Sequence, residues 1–290
     1  MKNIIPRVAA IHDLSGFGRC ALTVIIPVLS SMGVQVCPLP TAILSTHSGG
    51  FDDFTFHDFS DSMKAYADHW KSIGVTFDCI YSGFLGSANQ IDIVAEFFED
   101  FKGDEKQLIV VDPVMGDEGV LYKTYTDEMQ KKMRLLVEKA HIITPNFTEA
   151  CFLTNRPYTE EPLDETEIKH LLMDLSSMGP ETVVITGVKL DKNRLANVSY
   201  NRIDDIYWRV IYHPVPVEYP GTGDVFTSVL IGSLLRGDNL PMAIDRATQF
   251  ISYAVRITYG YRTPVREGIM LEKVLPWFGE EMISVSYERI

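Results

Sequence analysis

The segment Pro220-Gly221-Thr222-Gly223-Asp224 places a carboxylate directly after a glycine-rich turn, at the predicted start of a helix. Its glycines permit a tight turn with free backbone N–H groups, which together with the helix dipole stabilise the negative charge of a transferring phosphoryl group. The carboxylate of Asp224 is then suited to take a proton from an attacking hydroxyl as a general base. For this segment alone, a glycine turn in which Asp224 only favours the helix start is the simpler interpretation. The phosphoryl-transfer hypothesis therefore depends on the rest of the chain.

Polar and acidic residues also follow four apolar runs that are predicted to be strands. They are Asp13 and Ser15 after Val8–Ile11, Asp112 and Asp117 after Leu108–Val111, Thr144, Asn146 and Glu149 after His141–Ile143, and Thr186 after Thr182–Ile185. Ligands of open α/β sheets bind outside the carboxyl ends of the strands. One polar strand end means little, but four of them, several with carboxylates, predict a site at this edge of the sheet.

The acidic residues of this set have the oxygen ligands that a hard divalent cation requires, namely Asp112, Asp117 and Glu149. Structural roles are also open to them. Asp112 precedes a proline and is compatible with a strand end, and Asp117 is compatible with a solvated loop charge. Asn146 and Glu149 have the spacing of a capping box, and for this pair the structural role is favoured. A capped helix N-terminus is still a place where a phosphate binds, so the two roles are compatible.

The elements that must position these residues alternate between short apolar strands and longer helical patterns. Helices are predicted over 89–101, 126–139, 164–178, 224–236 and 241–258, and an antiparallel patch within 189–218. Continuous apolar strands separated by helices indicate a mostly parallel sheet covered on both faces. The chain shows neither an internal repeat nor a linker-like boundary, so we expect residues 1–290 to form a single domain.

Composition narrows the classes of partner. The 290 residues include 26 Lys and Arg against 39 Asp and Glu, a net charge of -13. Nucleic acids and anionic membranes require an excess of basic charge, so neither is expected as a partner. The four cysteines lack the spacing of a zinc site or a disulfide framework, and the N-terminal residues to Arg7 contain no apolar signal segment. These features predict a cytoplasmic protein.

One pattern typical of another enzyme class is present. Gly16-Phe17-Gly18-Arg19-Cys20-Ala21 matches the G-x-G-x-x-A form of a dinucleotide fingerprint. That fingerprint expects an acidic residue about 20 positions later, and none occurs between Leu14 and Phe51. A nicotinamide-dependent oxidoreductase is therefore disfavoured. The chain also lacks the Walker A pattern, so no P-loop lysine holds a nucleotide here.

Histidines and aromatic residues provide candidate substrate contacts. His12, His47, His57 and His69 do not form a ligand cluster, and each is expected to be a surface or hydrogen-bonded residue. His47 is kept as a substrate contact because it lies in the glycine-containing segment 45–50. The aromatic Phe84, in the run 81–86, is suited to form a wall against a planar ligand, although packing in the core explains it equally well.

Together these segments resemble the ribokinase-like superfamily of small-molecule kinases and, within it, the pyridoxal (vitamin B6) kinases. The resemblance covers roughly residues 8–240 and depends on the order and spacing of five pieces, which are 82–88, 112–117, 143–149, 179–186 and 221–224. It implies a three-layer α/β/α fold with a mostly parallel central sheet, and a homodimer. It further implies transfer of the ATP γ-phosphate to the 5′-hydroxymethyl group of pyridoxal, pyridoxine or pyridoxamine.

The resemblance also implies roles for individual residues. Asp224 corresponds to the catalytic base, and the turn Gly221, Thr222 and Gly223 to the anion hole. The remaining implied contacts are Asp117 and Glu149 around Mg²⁺ and the phosphates, Asp112 and Thr144 around a monovalent cation such as K⁺, Asn146 and Thr186 at the nucleotide, and Asp13, Ser48 and Phe84 at the pyridine ring. Ser15 and His47 join the substrate-binding set.

The segments 12–16 and 45–49 resemble two different families of kinases. The opening His12-Asp13-Leu14-Ser15-Gly16 is closer to the hydroxymethylpyrimidine kinases of thiamine synthesis than to the Gln-Ser-His of many pyridoxal kinases. The segment 45–49 is nearer to the Asn-His-Thr-Gly of pyridoxal kinases. A hydroxymethylpyrimidine kinase is therefore the alternative to a B6 kinase. A non-catalytic B6-binding protein is a further alternative, against which the retained Asp117 and Asp224 count.

Overall fold

The computed structural model describes residues 4–279 and 286–290; residues 1–3, which belong to the N-terminal segment considered above, lie outside the described residues. The strands within these ranges are β1 (Arg7–Phe17), β2 (Gln35–Thr46), β3 (Phe56–Asp58), β4 (Cys79–Ser82), β5 (Leu108–Val111), β6 (Gly116–Asp117), β7 (Val120–Leu121), β8 (Ile142–Ile143), β9 (Thr182–Lys189), β10 (Leu195–Asn201), β11 (Ile206–Tyr212) and β12 (Tyr287–Arg289).

Helices occupy most of the connections between these strands. They are α1 (Leu22–Ser31), α2 (Ser60–Ser72), α3 (Ala88–Asp100), α4 (Asp127–Glu138), α5 (Phe147–Thr154), α6 (Glu165–Ser177), α7 (Thr222–Leu235), α8 (Leu240–Tyr261) and α9 (Leu271–Val274), with short 3₁₀ turns at Val265–Glu267 and Leu275–Gly279. Among residues 4–279 and 286–290, none of these helices combines the length and apolar character required to cross a bilayer.

The strands form a ten-stranded sheet in the order β12-β11-β10-β9-β8-β5-β4-β1-β2-β3, and β6 and β7 form a separate hairpin. The central strands β2, β1, β4, β5, β8 and β9 are parallel to one another. Antiparallel pairing adds β10, β11 and β12 at one edge and β3 at the other. The carboxyl ends of the parallel strands therefore lie along one edge of the sheet, where ligands of such folds bind.

Successive side chains of the central strands point to opposite faces, and each face is covered by helices. Ile11 and Val111 pack in one core, beneath helices α2 to α6. Ala10 and Val110 pack in the other, beneath α1, α7, α8 and α9. The expected three-layer α/β/α fold is confirmed, and the near-continuous apolar strands follow from burial on both faces.

The structure extends the sequence prediction at several points. Strand β1 continues to Phe17, so the residues after Ile11 lie within a long strand rather than in a loop. Helix α1 contains Pro27 and was not predicted. It forms because the burial of Leu22, Ile25 and Leu29 outweighs the loss of one backbone hydrogen bond at the proline. Helix α2 was also not predicted, whereas the antiparallel patch, now β10 and β11, is confirmed.

Candidate active site

Gly221 forms the left-handed turn that starts helix α7. Its φ is 80°, a region that favours glycine. A Cβ atom there would lie 2.4 Å from the carbonyl oxygen of Arg19, in the segment between β1 and α1. The turn is therefore restricted to glycine by both its conformation and its packing, and it brings Thr222 and Gly223 to the first turn of α7.

Asp224 lies in the first turn of α7 and has one carboxylate oxygen held by the opposite segment. The backbone N–H of Ala21 donates a 2.8 Å hydrogen bond to Oδ2, and the thiol of Cys20 lies 3.5 Å from the same atom. Burial raises the pKa of Asp224, and these two contacts lower it in part. The side chain is 12% exposed, which leaves the carboxylate accessible from the site. A partly desolvated carboxylate of this kind is suited to accept a proton.

Glu149 closes a capping box at the start of α5. Its Oε2 accepts the backbone N–H of Asn146 at 2.8 Å, and the side-chain oxygen of Asn146 accepts the N–H of Glu149 at 2.8 Å. Its Oε1 accepts the N–H of Met115 at 3.0 Å. The predicted capping box is thus confirmed, and Glu149 also ties α5 to the segment that follows β5.

Asp112 lies buried at the end of β5, next to other carboxylates. Burial raises its pKa, and the nearby carboxylates of Glu149 and Asp224 raise it further. Asp117, in the β6–β7 hairpin, is exposed at the rim of the site and accepts the N–H of Glu118 at 2.9 Å. Acidic side chains that raise one another's pKa form a site in which a bound cation would favour the ionised forms.

The donor set fits a magnesium ion that takes most of its ligands from phosphates. In the part of the chain that the structure describes, no cluster of three His, Cys, Asp or Glu side chains is arranged as a metal cage. Mg²⁺ in phosphoryl-transfer sites is bound through one or two carboxylates plus substrate phosphates and water. Asp117 has a carboxylate exposed at the rim of the cavity for this purpose, whereas both oxygens of Glu149 already accept backbone N–H groups, and binding of Mg²⁺ by the two residues stays a prediction.

Thr144 follows β8 and joins the site to helix α7. The buried hydroxyl of Thr227 donates a 2.9 Å hydrogen bond to Oγ1 of Thr144. The backbone N–H of Thr144 donates a 3.2 Å hydrogen bond to the carbonyl oxygen of Val111, the residue before Asp112. A role of Thr144 at a monovalent cation stays a prediction.

A cavity of about 650 Å³ opens beside the turn of α7. Its polar wall includes Asp117, Asn146, Thr186, Thr222 and Gly223. Asn146 and Thr186 are brought together by an isolated parallel bridge between their backbones. The apolar wall consists of side chains from α7, α8 and the segment after β11, namely Phe226, Ile251, Val255, Val217 and Tyr219. A polar end beside a helix N-terminus and an apolar opposite wall suit a nucleotide.

The residues predicted to contact the acceptor are not among those that line this cavity. Asp13 is buried in β1 and accepts a 2.9 Å hydrogen bond from the hydroxyl of Ser15. Burial, with a contribution from the Asp224 carboxylate, raises the pKa of Asp13 to about 7. Phe84 is half-buried after β4, and Ser48 is exposed after β2. Asp13 and Asp224 thus lie close enough to interact, whereas Ser48 lies at the surface.

His47 is held by backbone groups on both sides of its ring. Nε2 lies 2.7 Å from the carbonyl oxygen of Arg266, and Nδ1 accepts the N–H of Gly49 at 3.1 Å. With both nitrogens engaged, the ring connects the end of β2 to the segment after α8. A contact with substrate stays a prediction for this residue.

The expectation for His12 is wrong. It was predicted to be a surface or hydrogen-bonded histidine, but it is fully buried in β1 and neither ring nitrogen has a hydrogen-bond partner among the described residues. Its Nδ1 lies 3.8 Å from Oδ1 of Asp224. Sequence reasoning missed this contact, as it missed the contacts of Ala21 and Cys20, because all three depend on the approach of β1 and α1 to α7. The available signal was a polar pair, His12-Asp13, inside an apolar strand.

Comparison with known proteins places this geometry in a family. Residues 13–269 match the model of the phosphomethylpyrimidine kinase family. A crystal structure from Bacteroides thetaiotaomicron VPI-5482, described as a candidate phosphomethylpyrimidine kinase, is 49% identical, with a TM-score of 0.96 and coverage of 100% of this chain and 99% of that one. A second crystal form of it, with pyridoxal, is 50% identical, with a TM-score of 0.94 and coverage of 99% and 100%.

Curated relatives include pyridoxal kinases and a hydroxymethylpyrimidine/phosphomethylpyrimidine kinase. The pyridoxal kinase of Arabidopsis thaliana is 30% identical over 185 residues, which span 62% of this chain and 58% of that protein. The hydroxymethylpyrimidine/phosphomethylpyrimidine kinase of Bacillus subtilis is 28% identical over 86% of this chain and 82% of that protein. The resemblance to pyridoxal kinases of the ribokinase-like superfamily and the expected phosphotransferase class are confirmed. The chain belongs to the phosphomethylpyrimidine kinase family.

Proposed function

We propose that this protein is an ATP-dependent kinase that phosphorylates the 5′-hydroxymethyl group of pyridoxal, pyridoxine or pyridoxamine. The observation that carries the proposal is the position of Asp224, which directly follows Gly223 in the lining of the 650 Å³ cavity and lies close enough to Asp13 for its charge to raise the pKa of that carboxyl group. The 50% identity to the Bacteroides structure with pyridoxal supports a pyridine as the acceptor.

The nucleotide occupies the cavity, with its phosphates towards the start of α7. The first-turn N–H groups of α7 and the helix dipole stabilise charge on the transferring phosphoryl group. Thr222 and Gly223 line the cavity at this end, while Asn146 and Thr186 line it further out. When bound, Mg²⁺ neutralises phosphate charge, and Asp117 and Glu149 are the residues that would hold it.

Asp224 acts as the general base. The acceptor hydroxyl gives its proton to the carboxylate, its oxygen bonds to the γ-phosphorus, and the bond from that phosphorus to the bridging oxygen of ADP breaks. The hydrogen bond from Ala21 holds Oδ2 of Asp224 throughout, so the carboxylate does not rotate freely. Most of the catalysis comes from positioning and electrostatics, as in other phosphoryl transfers.

The acceptor ring lies against the β1 side of the site. Asp13 offers a carboxyl group to the ring and its substituents, the buried hydroxyl of Ser15 holds that carboxyl group in place, and Phe84 offers an aromatic wall. A carboxyl group with a pKa near 7 is able to serve as donor or acceptor towards a pyridine nitrogen at neutral pH. His47 and Ser48 complete this set at the end of β2.

Further parts of the proposal come from the family resemblance. We include a monovalent cation such as K⁺ beside Asp112 and Thr144, a homodimer, and a cytoplasmic location. The continuous ten-stranded sheet supports one kinase domain over residues 1–290.

A hydroxymethylpyrimidine kinase is the second candidate function. The Bacillus subtilis relative and the description of the matched family favour it, as does the acidic residue at Asp13. A binding protein without turnover is disfavoured because Asp117 and Asp224 are retained, and the hydrogen bond from Ala21 to Asp224 supports this.

Release of ADP from Mg-ATP, measured separately with pyridoxal, pyridoxine, pyridoxamine and hydroxymethylpyrimidine, tests the proposal. Turnover on the pyridines supports it and ranks the three vitamers. Turnover on the pyrimidine alone assigns the protein to the second function, and an absence of turnover on all four acceptors contradicts both.

A further inference from the structure

The imidazole of His12 is a buried polar group that the proposed reaction does not use. The residue is 0% exposed in β1, and Nδ1 and Nε2 both lack hydrogen-bond partners among the described residues. An unsatisfied buried polar group costs roughly 1–3 kcal/mol. Such a group in the wall of an active site calls for a functional explanation.

The two carboxylate oxygens of Asp224 have different neighbours, and one of them faces the His12 ring. Oδ2 accepts the N–H of Ala21, whereas Oδ1 accepts no hydrogen bond from the described part of the chain. Nδ1 of His12 faces Oδ1 at 3.8 Å. This separation exceeds a hydrogen bond, so here the imidazole acts as an oriented dipole beside the free oxygen.

The position of the ring is fixed by two neighbours at the end of β4. Tyr81 packs edge-on against it, with ring centroids 4.3 Å apart. A Cβ atom on Gly83 would lie 2.3 Å from Cε1 and 2.5 Å from Nδ1 of His12. The His12 ring fits here because Gly83 has no side chain. Any larger residue at position 83 would displace the ring from Asp224.

We propose that His12 is a positioning residue that orients the Asp224 carboxylate through its free oxygen, Oδ1. This inference rests on the proposed role of Asp224 as general base. A neutral ring lowers the basicity of the carboxylate much less than a cation in the same place would.

Burial lowers the pKa of His12 to about 3, so the ring is uncharged at neutral pH. With the proton on Nδ1, the ring directs its N–H dipole towards Oδ1 across 3.8 Å, while Ala21 donates a hydrogen bond to Oδ2. The two donors come from separate places on the chain and together restrict rotation of the carboxylate. Restricting a reacting group in this way raises the rate of the chemical step rather than the affinity for substrate.

The test compares His12→Leu, which removes the donor, with His12→Asn, whose amide places a donor near the position of Nδ1. We expect His12→Leu to lower kcat about tenfold, because Oδ1 of Asp224 loses the oriented dipole beside it. We expect His12→Asn to recover most of that loss, and the KM values for ATP and acceptor to stay within about twofold in both variants.

Stability separates this role from a structural one. Replacing an unpartnered buried polar ring with an apolar side chain of similar size is neutral or stabilising, so the Tm of His12→Leu should equal or exceed that of the wild type. His12→Phe keeps the ring shape against Tyr81 and provides the same test if the leucine variant does not fold. Gly83→Ala should reproduce the loss of kcat, because its Cβ displaces the ring.

Three results would overturn the inference. They are a wild-type kcat in His12→Leu or His12→Phe, equal losses of kcat in His12→Asn and His12→Leu, and a raised KM with unchanged kcat. Asp224→Asn, measured alongside, separates the two proposals. If that variant is active, the general-base assignment fails; if it is inactive while His12→Leu is normal, only the role of His12 fails.

Discussion

The backbone N–H of Ala21 donates a 2.8 Å hydrogen bond to Oδ2 of Asp224, across 203 residues of sequence. Ala21 has a φ of 51° and a ψ of -131°, a conformation that residues with a side chain rarely adopt. The chain holds this strained residue at the N-terminal end of α1, where its N–H points at the first turn of α7. The carboxylate is thus positioned by the fold before any substrate binds.

Asp224→Asn should fold normally and still bind ATP, but it should lose about 10²–10⁴ of kcat, because the amide cannot accept the hydroxyl proton. Steady-state kinetics and a nucleotide-binding titration check this. Asp204→Asn, at an exposed position of the β10–β11 turn, is the matched control and should retain wild-type turnover. Near-wild-type turnover in Asp224→Asn would remove this residue from the role of base.

Gly221→Ala should lower both Tm and activity. A side chain at φ 80° costs roughly 1–2 kcal/mol, and its Cβ would in addition meet the carbonyl oxygen of Arg19 at 2.4 Å. Gly33→Ala is the matched control, since its φ is 79° and a Cβ there meets nothing within 4 Å. Thermal unfolding should show a clearly larger loss at Gly221. Equal losses would mean that the contact with Arg19 is not restrictive.

Asp13→Asn should flatten the dependence of stability on pH. The folded protein keeps a proton on Asp13 up to about pH 7, whereas the unfolded chain releases it near the ordinary value of 3.8. Between those values the folded state binds more protons, so the free energy of unfolding falls as pH rises. The fall due to this group is at most about 1.4 kcal/mol per pH unit.

Denaturant unfolding of wild type and Asp13→Asn from pH 4 to pH 8 measures this difference. The other buried carboxyl groups are present in both proteins, so the comparison isolates Asp13. Parallel stability profiles across this range would show that Asp13 ionises in the folded state as it does in the unfolded chain.

Asp117→Asn and Glu149→Gln should both raise the Mg²⁺ concentration needed for half-maximal turnover, but only the second should lower stability. The Asp117 carboxylate is exposed and accepts one neighbouring N–H. Glu149 accepts hydrogen bonds from the N–H groups of Asn146 and Met115. The NH₂ group of a glutamine side chain would face one of these N–H groups, so that hydrogen bond would be lost. Each buried hydrogen bond lost costs about 0.5–1.5 kcal/mol. An unchanged magnesium requirement in Asp117→Asn would exclude that residue from the metal site.

Features that depend on local sequence were predicted correctly. The capping box of Asn146 and Glu149 follows from a spacing of three residues, and the carboxyl ends of β5 and β8 follow from apolar runs that end in polar residues. The predicted end of the next strand at Ile185 was wrong, because β9 continues to Lys189 and Thr186 lies within it. The turn of Gly221 beside Asp224 is local in the same way.

Features that depend on contacts between distant segments were not predicted. No feature of the sequence indicates the strained backbone of Ala21. Alanine rarely adopts a positive φ, so its presence before a helix does not predict this conformation. His12 was expected to be a surface or hydrogen-bonded histidine, yet the approach of β1 to α7 buries it beside Asp224 without a hydrogen-bond partner among the described residues. Helix α1 was not predicted either; tertiary packing stabilises it although it contains Pro27.

A competition assay determines which ring the protein phosphorylates. Equal concentrations of pyridoxine and hydroxymethylpyrimidine are incubated in one tube with Mg-ATP and the wild-type protein, and both phosphorylated products are quantified by mass spectrometry, which gives the ratio of their kcat/KM values. We expect pyridoxine 5′-phosphate to be the dominant product, and Asp224→Asn to form neither product at a comparable rate. Predominance of the pyrimidine phosphate, or no phosphorylated product at all, would contradict this expectation.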